Sequence, residues 1–316
     1  MRVATIDIGT NTVLLLVAEV GKDGALTAFE ERATITRLGE GVDQRRSLSP
    51  AAIERTNECL SAYATAIRAA GAERIAVVGT SAMRDAKGGD EVRAHVARVL
   101  GVEARVISGD EEARLTFAGA VSGLGLPAGE ITVFDIGGGS TEVVEGRVDA
   151  RGAPIEISFA RSFDIGSVRL TERHVKNDPP TSAELNALRL AADAEFSGLV
   201  PVGDRPVVGI AGTMTTLAAV SLAMATYDGA AVHGHIMLRR EIEHVVRDLA
   251  AKPLSERKSV IGLEPKRADV IVAGGTIAAV LLERLAAGRV RISDRGVRWG
   301  LAEVLARGGG ERGASA

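Results

Sequence analysis

The sequence predicts an α/β protein of two related domains, each opening on a β-hairpin and continuing as alternating strands and helices around mostly parallel inner strands. Two observations carry this. First, VATIDIGTNT at the N-terminus and ITVFDIGGGST in the middle share one grammar: an apolar, β-branched run, an aspartate, glycines with small hydroxyl or amide side chains, then a second apolar run (TVLLLVAEV, TEVVEGRV). A Rossmann or Walker loop would lead into a helical period, whereas these runs are short, β-rich and stopped by GKDG and ARG, so the loops are hairpin tips. Second, both halves of the chain run in the same order, βββαβαβα, with a cleft expected between the two tips.

In chain order, LTAFEERATITRLG supplies a third strand. Ser49-Pro50 opens a helix, with Ser as N-cap and Pro at the first position, that runs to Gly71. RIAVVG is a strand leading into the loop TSAMRDA; GDEVRAHVARVLG is an amphipathic helix ending at glycine; VEARVIS is a strand, and DEEARLTFAGAVSGL is helical. The second half repeats this: strands ITVFDI, TEVVEGRV and PIEISFARSF, helical patterns from Gly166 to Leu199 broken by NDPPTS, strand VVGIA, helix TMTTLAAVSLAMA, strand RVRIS and helix GVRWGLAEVLA. The expected domains are 1–120 and 121–295, with the last helix (about 296–307) returning to the first domain and 308–316 as a frayed tail.

At 316 residues, 46% of them hydrophobic, the chain can build two cores, and its 3% aromatic content argues against stacking platforms for single-stranded nucleic acid. A net charge of −3 offers no global attraction for polyanions, so a phosphate ligand must be held by local donors, arginines and metal. Cys59 is the single cysteine, expected as a buried spectator thiol, which suits a reducing cytoplasm. The N-terminus lacks the layout of a secretory signal and no apolar run is long enough to span a bilayer. No nucleic-acid or membrane partner is expected.

The two tips have a plain chemical use. Gly9, Gly137, Gly138 and Gly139 let the backbone bend and bring N–H groups to an anion, while Thr10, Asn11, Ser140 and Thr141 add donors; phosphate fits such a cradle. Asp7 and Asp135, at the strand ends, suit a hard cation such as Mg²⁺ bridging carboxylate and phosphate oxygens. One Gly-rich turn alone reads as a structural turn, and the second copy reverses that reading.

In ISGDEEARL, Ser108 and Glu111 make a capping box, which leaves Glu112 as the candidate general base; the bland alternative is a glutamate that only complements the helix dipole. Glu142, directly after the second loop, could hold metal-bound water, act as a base or fix the loop. AGTMTTLA puts Gly212 and Thr213 at a strand-to-helix junction, a phosphate site or an ordinary cap. Arg84, in a loop after a strand, suits a phosphate fork. His233-x-His235 has no companion at zinc-site spacing.

DIGTNT, TSAMRDA, ISGDEEARLTFAG, DIGGGSTE, GSVRLTE, AGTMTTLA and RADVIVAGG, in this order over nearly the whole chain, resemble the exopolyphosphatase / guanosine pentaphosphate phosphatase family. The resemblance implies duplicated ribonuclease-H-like domains of the actin-like, sugar-kinase-like ATPase superfamily with an interdomain cleft. It implies release of terminal phosphate from inorganic polyphosphate, or conversion of pppGpp to ppGpp, with Mg²⁺ or Mn²⁺ and a catalytic glutamate at Glu112. By position, Asp135 and Glu142 would sit near metal and attacking water, and Gly137 to Thr141 would bind phosphate. Thr10, Asn11, Arg84 and the loop Gly212 to Thr213 would complete the pocket. A homodimer is expected on the same ground. The ending SDRGVRWG departs from the family's Arg-Glu-Gly in having Trp299, and the chain stops before the helical region of longer members, which implies a preference for short polyphosphate or the nucleotide. The rival expectations are a phosphotransferase on the same scaffold and a non-catalytic alarmone or polyphosphate sensor.

Overall fold

The computed structural model describes residues 1–22, 24–150 and 152–308; from residue 309 on, the expected tail lies outside them. Along the chain come β1 (Arg2–Ile8), β2 (Thr12–Val20), β3 (Leu26–Ile35), α1 (Val42–Arg45), α2 (Pro50–Ala70), β4 (Arg74–Gly79), α3 (Ser81–Asp85), α4 (Gly89–Leu100), β5 (Ala104–Val106) and α5 (Gly109–Val121). There follow β6 (Gly129–Ile136), β7 (Thr141–Val148), β8 (Pro154–Phe163), α6 (Ser167–His174), α7 (Ser182–Glu195), β9 (Val207–Ile210), α8 (Ala211–Ser221) and α9 (Gly229–Val232). The last elements are β10 (Ile236–Leu238), α10 (Arg239–Ala250), α11 (Leu254–Arg257), a 3-10 turn at Pro265–Arg267, α12 (Ile271–Arg284), β11 (Arg289–Ile292) and α13 (Val297–Ala306). Two compact units result: Met1–Gly119 with the segment from Val297 onward, and Ala120–Gly296.

In the first unit the sheet order is β3-β2-β1-β4-β5. β1 pairs antiparallel with β2 and parallel with β4, β4 is parallel to β5, and β3 closes the edge antiparallel to β2. This is the ribonuclease-H-like arrangement expected from the resemblance. The second unit repeats it as β8-β7-β6-β9-β11, with parallel β6, β9 and β11, and adds β10 antiparallel at the far edge, a strand not anticipated from the sequence.

Alternation along β1 divides its side chains between two layers. Ala4, Ile6 and Ile8 join Leu60, Tyr63 and Ile67 of α2 in one core, while Val3, on the other face, packs with Leu16, Ala18, Trp299 and Ala302. Asp7 and Thr5 share the α13-facing side. α2 begins as expected: Ser49 Oγ accepts from the Ala52 amide at 3.2 Å with Pro50 next to it, and the helix stops at Gly71 in the left-handed conformation (φ 67°). Cys59 lies buried on its apolar face. In the second unit α12 is buried along most of its length, from Ile271 to Leu282, and packs with Phe134, Ile136 and Val143 of the central strands.

Candidate active site

In both units the chemistry-bearing residues gather at the C-terminal ends of the parallel strands, where sheet hydrogen bonding runs out and loop backbone becomes available to a ligand. In the first unit, Asp7 and Ile8 lie in register with Val78 and Gly79 of β4, the Thr80 amide donates to Ile8 O at 3.2 Å, and the Ile107 amide to Gly79 O at 3.1 Å. The three strand ends are thereby tied side by side.

The first hairpin tip is a tight turn closed by Gly9 N–H donating to Thr12 O at 3.1 Å. A Cβ on Gly9 would lie 2.9 Å from that carbonyl, so glycine is required by space. The chain beyond β3 then laces onto the tip: the Thr36 and Arg37 amides donate to Asn11 O (3.1 and 3.0 Å), and the Gly39 amide to Thr10 O (2.8 Å). The Thr10 hydroxyl is hydrogen-bonded to Ser81 Oγ at 2.8 Å, coupling the tip to α3.

The second tip has the same construction. Gly137 N–H donates to Ser140 O (3.0 Å), Ser167 N–H to Gly137 O (2.9 Å), and the Val168 and Arg169 amides to Gly138 O (2.9 and 3.1 Å). A Cβ on Gly166 would run into the backbone of Gly138 and Gly139, so GSVR is a buttress that only glycine lets approach. The carbonyls of Thr10 and Asn11 in the first tip, and of Gly137 and Gly138 in the second, are thus consumed by the following segment. Among the described residues the main-chain amides of Thr10, Asn11, Gly138, Gly139 and Ser140 donate to no main-chain acceptor, which is the donor array an anion needs.

The carboxylates differ between the units. Asp7 is buried, its Oδ1 has no hydrogen-bond partner among the described residues, and burial raises its pKa to about 7, with the attraction of Arg298 working the other way. Asp135 stands directly opposite Glu142 in the β6–β7 ladder, and Glu142 opposite Ser162 in the next, where Ser162 Oγ donates to Glu142 Oε1 at 2.7 Å. Two carboxylates facing one another across a strand pair repel unless a cation or proton lies with them. In the first unit the register puts Leu14 opposite Asp7, so that pairing is not duplicated.

Glu112 is buried on the first turn of α5, and Arg84 Nη1 reaches its Oε2 at 3.2 Å while also donating to Ile107 O at 3.1 Å. Arg84 therefore sits on α3, a helical turn held by the Met83 and Arg84 amides on Thr80 O (both 3.0 Å), where the sequence predicts a loop. Only half of the expected capping box forms at α5. Ser108 Oγ accepts from the Glu111 amide at 3.2 Å, but the Glu111 carboxylate pairs with Arg105 at 2.8 Å, a charged partner that outcompetes a neutral amide.

Gly212 and Thr213 begin α8. Thr213 Oγ1 donates to Ile136 O at 3.1 Å, the Arg267 guanidinium lies where a Cβ on Gly212 would be, and Gly274 of α12 packs against the Thr213 side chain. Gly274, Gly166, Ser162 and Ser167 surround these loops without having been assigned a role from the sequence; all but Ser162 lie within the family-like motifs, and Ser162 carries no local signal. His233 is hydrogen-bonded through Nδ1 to Ser293 Oγ at 3.3 Å. Trp299 packs on β1 and β2 and donates from Nε1 to Glu31 Oε1 at 3.1 Å.

Two sheets of this order, each with a hairpin tip at its strand ends, define a duplicated α/β protein of ribonuclease-H-like topology. The chain belongs to the Ppx/GppA phosphatase family, which it matches over residues 16–305. It is 40% identical to exopolyphosphatase 2 of Mycobacterium tuberculosis, over 96% of this chain and 98% of that protein. It is 29% identical to a guanosine-5'-triphosphate,3'-diphosphate pyrophosphatase of Vibrio cholerae, over 94% of this chain and 58% of that protein. The solved structure of the Aquifex aeolicus PPX-GPPA enzyme superposes with a TM-score of 0.80 at 36% identity, covering 96% of this chain and 99% of that one.

Proposed function

We propose that the protein is an exopolyphosphatase, a hydrolase that removes terminal orthophosphate from inorganic polyphosphate. The observation that carries this reading is the pair of hairpin tips in which the amides of Thr10, Asn11, Gly138, Gly139 and Ser140 donate to no main-chain acceptor among the described residues, together with the likeness to exopolyphosphatase 2. In the first unit Thr10 and Asn11, and in the second Gly138, Gly139, Ser140, Gly212 and Thr213, offer donors to anionic phosphoryl oxygens. Water attacks the terminal phosphorus; its proton passes to the Glu112 carboxylate, the bridging P–O bond breaks, and the electron pair leaves on the shortened chain. Arg84 fixes the orientation of Glu112 through Oε2.

The residues present fit a divalent cation such as Mg²⁺ or Mn²⁺. Asp7 offers a buried oxygen that accepts from no protein group among the described residues, and Asp135 and Glu142 oppose one another across their ladder. Asp7 in the first unit, and Asp135 with Glu142 in the second, are the carboxylates we assign to it, and when bound it would neutralise phosphate charge. A homodimer and a cytoplasmic setting belong to the same reading; among the described residues no helix is long and apolar enough to cross a membrane.

A second reading, conversion of pppGpp to ppGpp, is favoured by the named activity of the Vibrio cholerae relative. One experiment separates these: orthophosphate release with Mg²⁺ from short polyphosphate, long polyphosphate, pppGpp and ATP, with Glu112→Gln as control. Release from polyphosphate that falls at least about 100-fold in the variant, with ligand binding retained, supports the proposal. Release from pppGpp alone moves the activity to the nucleotide, ATP formed from polyphosphate and ADP indicates a phosphotransferase, and binding without release indicates a sensor.

A further inference from the structure

Glu31 of β3 receives two donors from the first turn of α13. Arg298 Nη2 bonds its Oε2 at 3.0 Å and Trp299 Nε1 its Oε1 at 3.1 Å, with both donor residues buried. The same turn is anchored to β1, because Thr5 Oγ1 donates to Arg298 O at 2.8 Å. Thr5 and Asp7 point to the same face of β1, and the Arg298 charge acts on Asp7. A buried carboxylate that feels the charge of a buried arginine gains from closing into an ion pair with it where the geometry allows. Here Asp7 Oδ1 has no hydrogen-bond partner among the described residues, while Arg298 is engaged by Glu31, whose second oxygen is occupied by the indole.

We propose that Glu31, clamped by the Trp299 indole, is a positioning residue that holds the Arg298 guanidinium back from Asp7 and so leaves the Asp7 carboxylate to bind a divalent cation that carries phosphate. This rests on the reading of Asp7 as a ligand for that cation. It accounts for tryptophan at 299: an indole donates to Glu31, whereas a carboxylate there would repel it.

The test is Mn²⁺ binding to the full-length protein in the presence of orthophosphate, followed by electron paramagnetic resonance of the free ion, for wild type, Asp7→Asn, Glu31→Gln and Trp299→Phe. Thermal midpoints are recorded alongside. Asp7→Asn is expected to lose the site; if it binds as wild type does, the reading of Asp7 falls and the inference with it. Given that loss, Glu31→Gln is expected to weaken Mn²⁺ at least fivefold and Trp299→Phe, which leaves every charge in place, to weaken it in the same direction by a smaller factor. Weakening in Glu31→Gln alone would mean a through-space charge effect and would overturn the positioning role. So would midpoints that fall while Mn²⁺ affinity stays at the wild-type value. Should Glu31→Gln not fold, Trp299→Phe decides alone.

Discussion

Asp7 is held in a conflict between burial and charge, and the conflict has a measurable sign. Its pKa of about 7 lies above the 3.8 of an exposed aspartate, so the folded state binds the proton more tightly than the unfolded chain. The penalty for the charged form is absent below pH about 4 and reaches its full value as pH rises through about 7, a span on the order of 4 kcal/mol. Without divalent cation, Asp7→Asn should therefore raise the thermal midpoint over wild type at pH 8 and do so much less at pH 5. Calorimetry across that range checks it, and a pH-independent difference would count against the buried carboxylate. Ala211 is a second residue under tension, since it opens α8 with φ of 63°, a region that L side chains enter at a cost of about 1–2 kcal/mol. Ala211→Gly should stabilise the protein by roughly 0.5–1 kcal/mol in urea unfolding, the relief being offset in part by the freedom that glycine gives the unfolded chain. Strain of this kind, at the loop that begins with Gly212, is characteristic of sites where backbone geometry serves a ligand.

At the scale of elements, each hairpin tip depends on a segment that arrives later in the chain. The tip at Gly137–Ser140 is closed from outside by the first turn of α6, through the amides of Ser167, Val168 and Arg169. A methyl group on Gly166 would press on the Gly138 carbonyl and the Gly139 amide, backbone atoms that cannot rotate away. Gly166→Ala is expected to raise KM for polyphosphate and to destabilise by about 1–3 kcal/mol, the usual cost of overpacking; steady-state kinetics and chemical unfolding measure the two effects separately. A variant with unchanged KM would show that the tip can shift without consequence for substrate. The tips themselves were legible in the sequence because strand, aspartate, glycine and strand are local signals with a two-residue period. The buttresses were not, because GSVR carries no local mark of the carbonyls it meets some 30 residues earlier. The same holds for Arg84: its position after a strand was readable, while the one-turn helix that aims it at Glu112 is fixed by Thr80 O, a capping acceptor that short-range pattern does not reveal.

At the scale of the whole chain, the first unit is completed by residues from the far end of the sequence. Trp299 and Ala302 of α13 cover Val3, Leu16 and Ala18, Leu301 and Val297 pack with Leu115 and Val78, and Gly300 lies against the Leu115 backbone. A chain ending at Gly296 would expose that face of the sheet and remove Arg298 from Asp7. We expect it to be insoluble or to expose apolar surface to a hydrophobic dye, since several buried side chains at about 1.5–3 kcal/mol each exceed the margin of a typical domain. A soluble truncation with a native-like cooperative transition would contradict this account of α13.

By itself the sequence determined the two hairpins, their aspartates and glycines, the strand–helix alternation and hence the duplicated α/β class, because propensity, turn chemistry and apolar period all act over a few residues and agree with one another. It also marked Glu112 and Arg84 by their places after strands. Only the tertiary structure decided that Arg84 and Glu112 are partners, that Asp7 is buried without a hydrogen bond for Oδ1 while Asp135 faces Glu142, and that Trp299 and Glu31 hold Arg298. Those facts depend on residues far apart in the chain meeting in a core of low dielectric, where a missing or added partner shifts a carboxylate by several kcal/mol, and no local pattern records which residues will meet.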